Sequence, residues 1–139
     1  MAAAAFFSFL FAAGIGGFMA YLHFRGQPSG TAMGIIHGVF VAIGFAFLLA
    51  GLWFVDDAGR GWWLVAAFLA TAAGGSYLWM RQRKGEPWPG LVLIAHGAAA
   101  LLSIVLLGLW LFPANPSPPA SEAPLGPTQA PTDMREATP

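Results

Sequence analysis

Four long apolar runs dominate this sequence and limit what the chain can fold into. They cover residues 2–24, 31–55, 61–80 and 90–112, and none of them contains Asp, Glu, Lys or Arg. Each run is about 20 residues long, the length that an α-helix needs to cross the roughly 30 Å hydrocarbon core of a bilayer. The runs are continuous and lack the alternation of a transmembrane strand. The sequence therefore predicts an all-α membrane protein with four transmembrane helices.

The composition favours lipid as the solvent and excludes several functions. The chain is 58% hydrophobic and 9% charged, whereas a soluble domain is typically about 25% charged. Its formal net charge is zero, so we expect no basic face for nucleic acid. The absence of cysteine excludes disulfides, thiolate metal sites, iron–sulfur clusters and covalent haem attachment.

The basic residues predict an orientation in the membrane. Arg25 follows the first run, and Arg81, Arg83 and Lys84 follow the third, whereas the second loop has only Arg60. Because basic loops stay in the cytoplasm, loops one and three should be cytoplasmic and both termini should lie outside. The first run lacks the basic n-region of a signal peptide and is longer than an h-region, so we expect a retained helix.

The last part of the chain differs in character from the rest. Residues 113–139 include eight prolines among Ser, Thr and Ala, a composition that cannot bury a core. We expect a disordered-type, extended tail that is either a spacer or a segment lying across a partner. The chain therefore divides into a first transmembrane hairpin (1–58), a second hairpin (59–112) and a Pro-rich tail (113–139).

An internal repeat relates the two hairpins at an offset of 59 residues. Residues 25–28 (RGQP) match residues 84–87 (KGEP), and a His-Gly pair follows nine residues after each proline. Both copies then continue into an apolar run that ends in Gly-Leu-Trp. The sequence thus predicts a bundle of two tandem, parallel hairpins related by a pseudo-two-fold axis along the membrane normal.

The odd-numbered runs are rich in small and aromatic residues. The glycines at 16–17 match those at 74–75 at a slightly different offset. With their small neighbours they predict close-packing seams between the hairpins. Four phenylalanines of the first run are expected to face lipid or a partner: Phe6, Phe7, Phe9 and Phe11. The six tryptophans lie near the ends of the runs and predict an interfacial belt: Trp53, Trp62, Trp63, Trp79, Trp88 and Trp110.

The histidines of the two His-Gly pairs are the main candidate site. At 1.5 Å per residue, His37 and His96 should lie on the order of 10 Å inside the second and fourth helices, at the same depth. These helices should face each other across a bundle diagonal of roughly 12–14 Å, because adjacent helices pack 8–10 Å apart. Gly44 and Ser103 follow one heptad later, and small side chains leave room for close contact or for a flat group.

This arrangement resembles that of small four-helix membrane b-type cytochromes and haem-binding anchor subunits. The resemblance covers the second and fourth helices and rests on His37-Gly38, His96-Gly97 and the small residues one heptad beyond. It implies one haem b with His37 and His96 as metal ligands and glycines beside the macrocycle. Two-haem versions need four intramembrane histidines, so at most one such haem is expected here.

The resemblance further implies an electron-transfer or anchor subunit that works with a quinone pool or a partner complex. Arg25 and Lys84, at the mouth of the site, would then neutralise haem propionates; otherwise they set topology and bind lipid headgroups. His23, whose place in the second copy is taken by Gln82, is either an interfacial residue or a hydrogen-bond partner of a propionate, quinone or lipid phosphate.

Other functions remain open at the level of sequence. The two histidines could instead make structural hydrogen bonds between helices, ligate a chlorophyll-type pigment, or bind a quinone. The chain could be a non-catalytic accessory subunit of a respiratory or photosynthetic complex, docked through its apolar helices and its tail, or a small-solute channel. The spans carry no acidic residue that could couple protons to solute movement, which disfavours a proton-coupled exporter. The sequence also offers no nucleophile–base set, so we expect no enzyme activity from this chain on its own.

Overall fold

The computed structural model describes residues 1–54 and 61–112, and these residues form four α-helices. The helices are α1 (Ala2–Phe24), α2 (Thr31–Trp53), α3 (Trp62–Arg83) and α4 (Gly90–Leu111). All four are long and apolar enough to cross a membrane, so the chain is an integral, multi-pass membrane protein. The expected tail (113–139) and most of the loop between the hairpins (55–60) lie outside the described residues.

The helices follow from the demand that a backbone in hydrocarbon must satisfy its own hydrogen bonds. α1 and α3 end in the same way, at a glycine in the left-handed region: Gly26 has φ +68° and Gly85 has φ +69°. The amide of Gln27 donates to the carbonyl of Leu22, and that of Glu86 donates to Arg81, which closes each helix end with a Schellman motif. α3 continues through Arg83, one turn past the predicted end of its apolar run.

The four helices form a bundle of two hairpins, as predicted. The most extensive contacts are those between α1 and α2, followed by those between α3 and α4. Between the hairpins, α1 contacts α4 and α2 contacts α3. The pairs α1/α3 and α2/α4 therefore lie on the two diagonals of the bundle. The repeat relates α1 to α3 and α2 to α4, which makes the α1/α4 and α2/α3 contacts equivalent under it.

The centre of the bundle is an aromatic stack. The rings of Phe9 and Phe68, which are equivalent in the repeat, lie 3.9 Å apart and within 13° of parallel. Phe45 packs edge-on against both rings. The expectation that Phe9 faces lipid or a partner is wrong, because only 3% of it is exposed. Between this stack and the end of the bundle away from Gly26 and Gly85 lies a closely packed core that includes Ala5, Leu48, Leu52, Leu64 and Leu107.

Gly44 makes the aromatic stack possible. A Cβ at position 44 would lie 2.8 Å from the ring of Phe9. That ring is held between Phe68 and Phe45 and cannot move aside freely. Replacing Gly44 therefore forces a shift in the centre of the bundle.

We expect Gly44→Ala to lower the free energy of unfolding by about 1–3 kcal/mol, the usual cost of overpacking a core. The measurement is thermal or denaturant unfolding in detergent, followed by circular dichroism. Gly14→Ala is the control, because no atom lies within 4 Å of its added Cβ and alanine is the better helix former. Equal stability of the two variants would contradict the role assigned to Gly44.

Candidate functional site

The two intramembrane histidines lie opposite each other inside the bundle. His37 and His96 are each the seventh residue of their helix, α2 and α4. Their imidazole rings have centroids 6.5 Å apart and planes at 74°. The structure thus brings together across a diagonal two side chains that are 59 residues apart in the sequence.

Each imidazole is anchored to the preceding helix by the same hydrogen bond. His37 Nδ1 lies 2.9 Å from the carbonyl oxygen of Ala12, and His96 Nδ1 lies 3.0 Å from that of Thr71. A carbonyl oxygen can only accept, so Nδ1 carries the proton and donates in both cases. The opposite ring nitrogen, Nε2, then has a free lone pair in each neutral imidazole. Neither Nε2 has a hydrogen-bond partner within 1–54 and 61–112.

A glycine on the preceding helix allows each of these hydrogen bonds. Gly16 and Gly75 lie one turn after the accepting carbonyls of Ala12 and Thr71. A Cβ at position 16 would lie 3.1 Å from Cε1 of His37, and one at position 75 would lie 2.9 Å from Cε1 of His96. An added Cβ would therefore crowd the ring of His37 and would force the ring of His96 to shift.

The sequence pattern predicts Gly16 and Gly75 only as parts of a helix seam. Their signal was present in the repeat, because Gly16 matches Gly75 at the offset of 59 that relates the two histidines. Matched as pairs, the glycines at 16–17 and 74–75 align at a shifted offset, which hides this relation. The structure therefore extends the repeat through α1 and α3 without a change of offset.

An apolar cavity of about 530 Å³ lies beside the imidazoles. The stacked rings of Phe9 and Phe68 close its inner end, and Trp79, Gln82 and Trp88 line its end near the loops. None of the described residues that line it is charged. Its polar groups are the two imidazoles, the Thr71 and Ser76 hydroxyls, the Gln82 amide and the two indole N–H groups. The cavity therefore suits a largely apolar ligand that an imidazole can bind.

The loop end of the cavity is asymmetric, although the histidines are not. Gln82 Nε2 donates to the carbonyl of Ser29 at 2.8 Å, and the His23 ring lies 5.4 Å from the ring of Trp88. The repeat relates His23 to Gln82 and Ser29 to Trp88. The two contacts therefore occupy equivalent places in the bundle, but one is a hydrogen bond and the other is a contact between two rings. Trp79 and Trp88, predicted as belt residues, line the cavity as well.

The remaining predicted site residues divide between the cavity and its surroundings. Gly38 lines the cavity, whereas its counterpart Gly97 is not among the described lining residues. Gly44 receives the ring of Phe9, and the Ser103 hydroxyl donates to the carbonyl of Ala99 at 2.8 Å. These two small residues therefore serve the packing next to the cavity and do not line it.

The two predicted cationic residues lie outside the cavity. Arg25 and Lys84 are both exposed, at the C-terminal ends of α1 and α3. The Arg25 guanidinium lies 5.9 Å from the centre of the Tyr21 ring. Arg81, which lies in the last turn of α3, contacts Glu86 at 3.4 Å and donates to the carbonyl of Pro87.

The donor set limits what the site can hold. Among residues 1–54 and 61–112 no group of three or more His, Asp or Glu side chains is placed to bind a metal ion. A structural zinc ion usually takes about four ligands, and calcium or magnesium takes about six or more. Two imidazoles therefore do not complete a site for a bare ion, although they suit a metal that already carries ligands of its own. Comparisons with protein families, curated proteins and solved structures return no match to this chain.

We expect Gly75→Ala to break the hydrogen bond between His96 and Thr71, because the added Cβ would lie 2.9 Å from Cε1 of the ring. NMR of the ¹⁵N-labelled histidines should show a proton on Nδ1 of His96 in the parent protein and a shifted or exchange-broadened signal in the variant. The His37 signal serves as an internal reference.

Gly74→Ala is the matched control for this experiment. Its added Cβ would lie 3.6 Å from the nearest atoms of His96, which is an ordinary van der Waals contact. The Nδ1 signal of His96 should therefore remain. Loss of the signal in both variants, or in neither, would contradict the role given to Gly75.

Proposed function

We propose that this protein binds one haem b between His37 and His96 and serves as a membrane electron-transfer or anchor subunit. The observation that carries the proposal is the pair of imidazoles whose ring centroids lie 6.5 Å apart, each held by its Nδ1 proton. Two metal–nitrogen bonds of about 2.0 Å each, together with the radii of two imidazole rings, add up to roughly 6 Å. The separation thus suits a single metal bound from both sides.

The hydrogen bonds of the imidazoles support the same proposal. Histidines that ligate a metal almost always donate their other ring N–H to a carbonyl, carboxylate or water, which sets the tautomer and the ring orientation. His37 and His96 donate to backbone carbonyls of Ala12 and Thr71. A structural role alone would explain these bonds but would leave both Nε2 lone pairs without a use beside an apolar cavity.

The number of ligands favours a metal carried by a macrocycle. A tetrapyrrole supplies four in-plane nitrogens, so two axial imidazoles complete the coordination. The cavity of about 530 Å³ lies in the size range of pockets for organic ligands and cofactors. The described residues around it also provide aromatic and aliphatic walls without a charge. These residues fit the group.

The chain itself would hold, orient and shield the cofactor. A bound haem would supply a one-electron redox centre whose potential depends on its axial ligands and burial. The apolar walls and the Phe9–Phe68 stack exclude water from one side of the site. Gln82 and the two tryptophans at the loop end offer N–H donors, which suit the polar edge of a ligand.

We expect the purified protein to show a Soret band and to contain one haem per chain in a pyridine haemochrome assay. His37→Ala and His96→Ala should each abolish the spectrum. Loss of a residue that only hydrogen-bonds a metal ligand lowers metal affinity roughly 10- to 100-fold, and loss of the ligand itself should lower it further. His23→Ala is the control and should retain the spectrum, since His23 is not among the described residues lining the cavity.

The same assay separates the alternatives. A chlorophyll-type pigment in this site would give red absorption without a haemochrome. A protein that folds, remains monodisperse in detergent and takes up no haemin would contradict the haem proposal and leave an accessory membrane subunit as the better explanation.

A further inference from the structure

The two seams between the hairpins are equivalent in the repeat but not in the structure. α1 and α4 pack on each other more extensively than α2 and α3 do. The residues that line the cavity in the α2/α3 seam include Ile35, Gly38, Val39 and Ala42 on α2 and Ala72 and Ser76 on α3. Of the six equivalent residues in the α1/α4 seam, only Ala13 is among the described lining residues. The cavity therefore extends further into the α2/α3 seam than into the α1/α4 seam.

The α2/α3 seam opens to the side of the bundle. Ile35 and Val39 line the cavity and are nevertheless 53% and 49% exposed. Gly38, Ala42 and Ser76 are exposed as well. All five residues lie within predicted membrane spans, so the surface that they share faces hydrocarbon. We call the gap bounded by Gly38, Val39, Ala42, Ala72 and Ser76 the lateral opening.

The loop end of the cavity, in contrast, is obstructed. The Trp79 ring packs against Gly34, where a Cβ would lie 2.6 Å from the ring. The hydrogen bond from Gln82 to Ser29 ties α3 to the first loop across the same end. In the repeat Trp79 is equivalent to Ala20, and Gly34 is equivalent to Leu93. This exchange of large and small residues distinguishes the two seams.

We infer that the ligand of this site reaches the two imidazoles from the bilayer, through the lateral opening between α2 and α3. The ligand class is a flat, lipid-soluble ring compound. The opening is bordered mainly by small side chains, which pass a thin ring, and none of the described residues there is charged. The Ser76 hydroxyl is its one side-chain polar group. The identity of the ligand as haem rests on the proposed function, whereas the route through the lateral opening does not depend on that identity.

A thiol probe tests the route without haem. The natural chain has no cysteine, so Ala100→Cys places the only thiol in the protein on the cavity wall, one turn beyond His96 on α4. N-phenylmaleimide, a flat apolar reagent, is added to proteoliposomes, and mass spectrometry follows the modification of position 100. Ser76→Phe in this background should slow the reaction about tenfold by filling the opening.

Gly17→Phe is the matched control, because Gly17 is the repeat equivalent of Ser76 and lies in the α1/α4 seam. Gly17 is exposed, and no described atom lies within 4 Å of an added Cβ there, so the first atom of the larger side chain meets no neighbour. It should leave the rate unchanged. A second pair, Ala42→Phe against Leu101→Phe, repeats the comparison on α2 and α4. No modification of the introduced thiol in the Ala100→Cys protein, or equal slowing by both members of each pair, overturns the inference.

Haemin uptake from preloaded vesicles is the second arm, measured by growth of the Soret band in the protein that retains Ala100. Slowing of both maleimide and haemin by Ser76→Phe supports the route and the proposed ligand together. Slowing of maleimide alone, with no haemin bound by the parent, supports the route and contradicts the proposed function. Haemin uptake at parental rate in Ser76→Phe overturns the route and leaves the proposed function intact.

Discussion

The hydrogen bond from each imidazole to a backbone carbonyl of the preceding helix is the interaction on which the site depends. It sets the tautomer, so that Nε2 of His37 and of His96 is left with its lone pair. It also ties α2 to α1 and α4 to α3 at the same depth, inside each hairpin. In hydrocarbon an unsatisfied polar group is costly, so a histidine that lacked this partner would disturb the span that carries it.

Glycine is the residue that makes this bond compatible with a helix bundle. A backbone carbonyl inside a helix is normally shielded by the side chain one turn further on. Gly16 and Gly75 remove that shield at the two accepting positions, and the imidazole edges occupy the space. The same reasoning applies to Gly44, where the ring of Phe9 takes the space that a side chain would fill. The stack of Phe9 on Phe68 marks the boundary between the cavity and the closely packed core.

The duplication explains both the symmetry of the site and its departures from symmetry. Two copies of one hairpin place two identical imidazoles on a diagonal, which is the arrangement that the proposed planar ligand requires. Differences between the copies then make the α2/α3 side of the site differ from the α1/α4 side. Trp79 in place of Ala20, and Gly34 in place of Leu93, distinguish the α2/α3 seam from the α1/α4 seam, although the backbones of the two seams follow the same plan.

Much of the fold was predictable because the constraint behind it is local. Runs of apolar residues without charge must be helical in a membrane, and RGQP and KGEP stop the helices at residues whose conformation depends on their neighbours alone. The equal depth of the histidines followed from the repeat. The burial of Phe9 could not be read from helical periodicity, since its run is apolar on every side and has no amphipathic period that marks an inner face. Only the repeat, which matches Phe9 with Phe68 and Phe7 with Ala66, distinguishes the two phenylalanines.

By itself, then, the sequence determined the four spans, their grouping into two hairpins and the pairing of His37 with His96, because helix length, chain breaks and repeats are properties of neighbouring residues. Only the tertiary structure decided that Phe9 stacks on Phe68, that Gly16 and Gly75 receive the imidazoles, and that the cavity opens beside α3. These features depend on how the helices are rotated about their axes. In a uniformly apolar helix that rotation is set by the volumes of side chains on other helices, which no local pattern records.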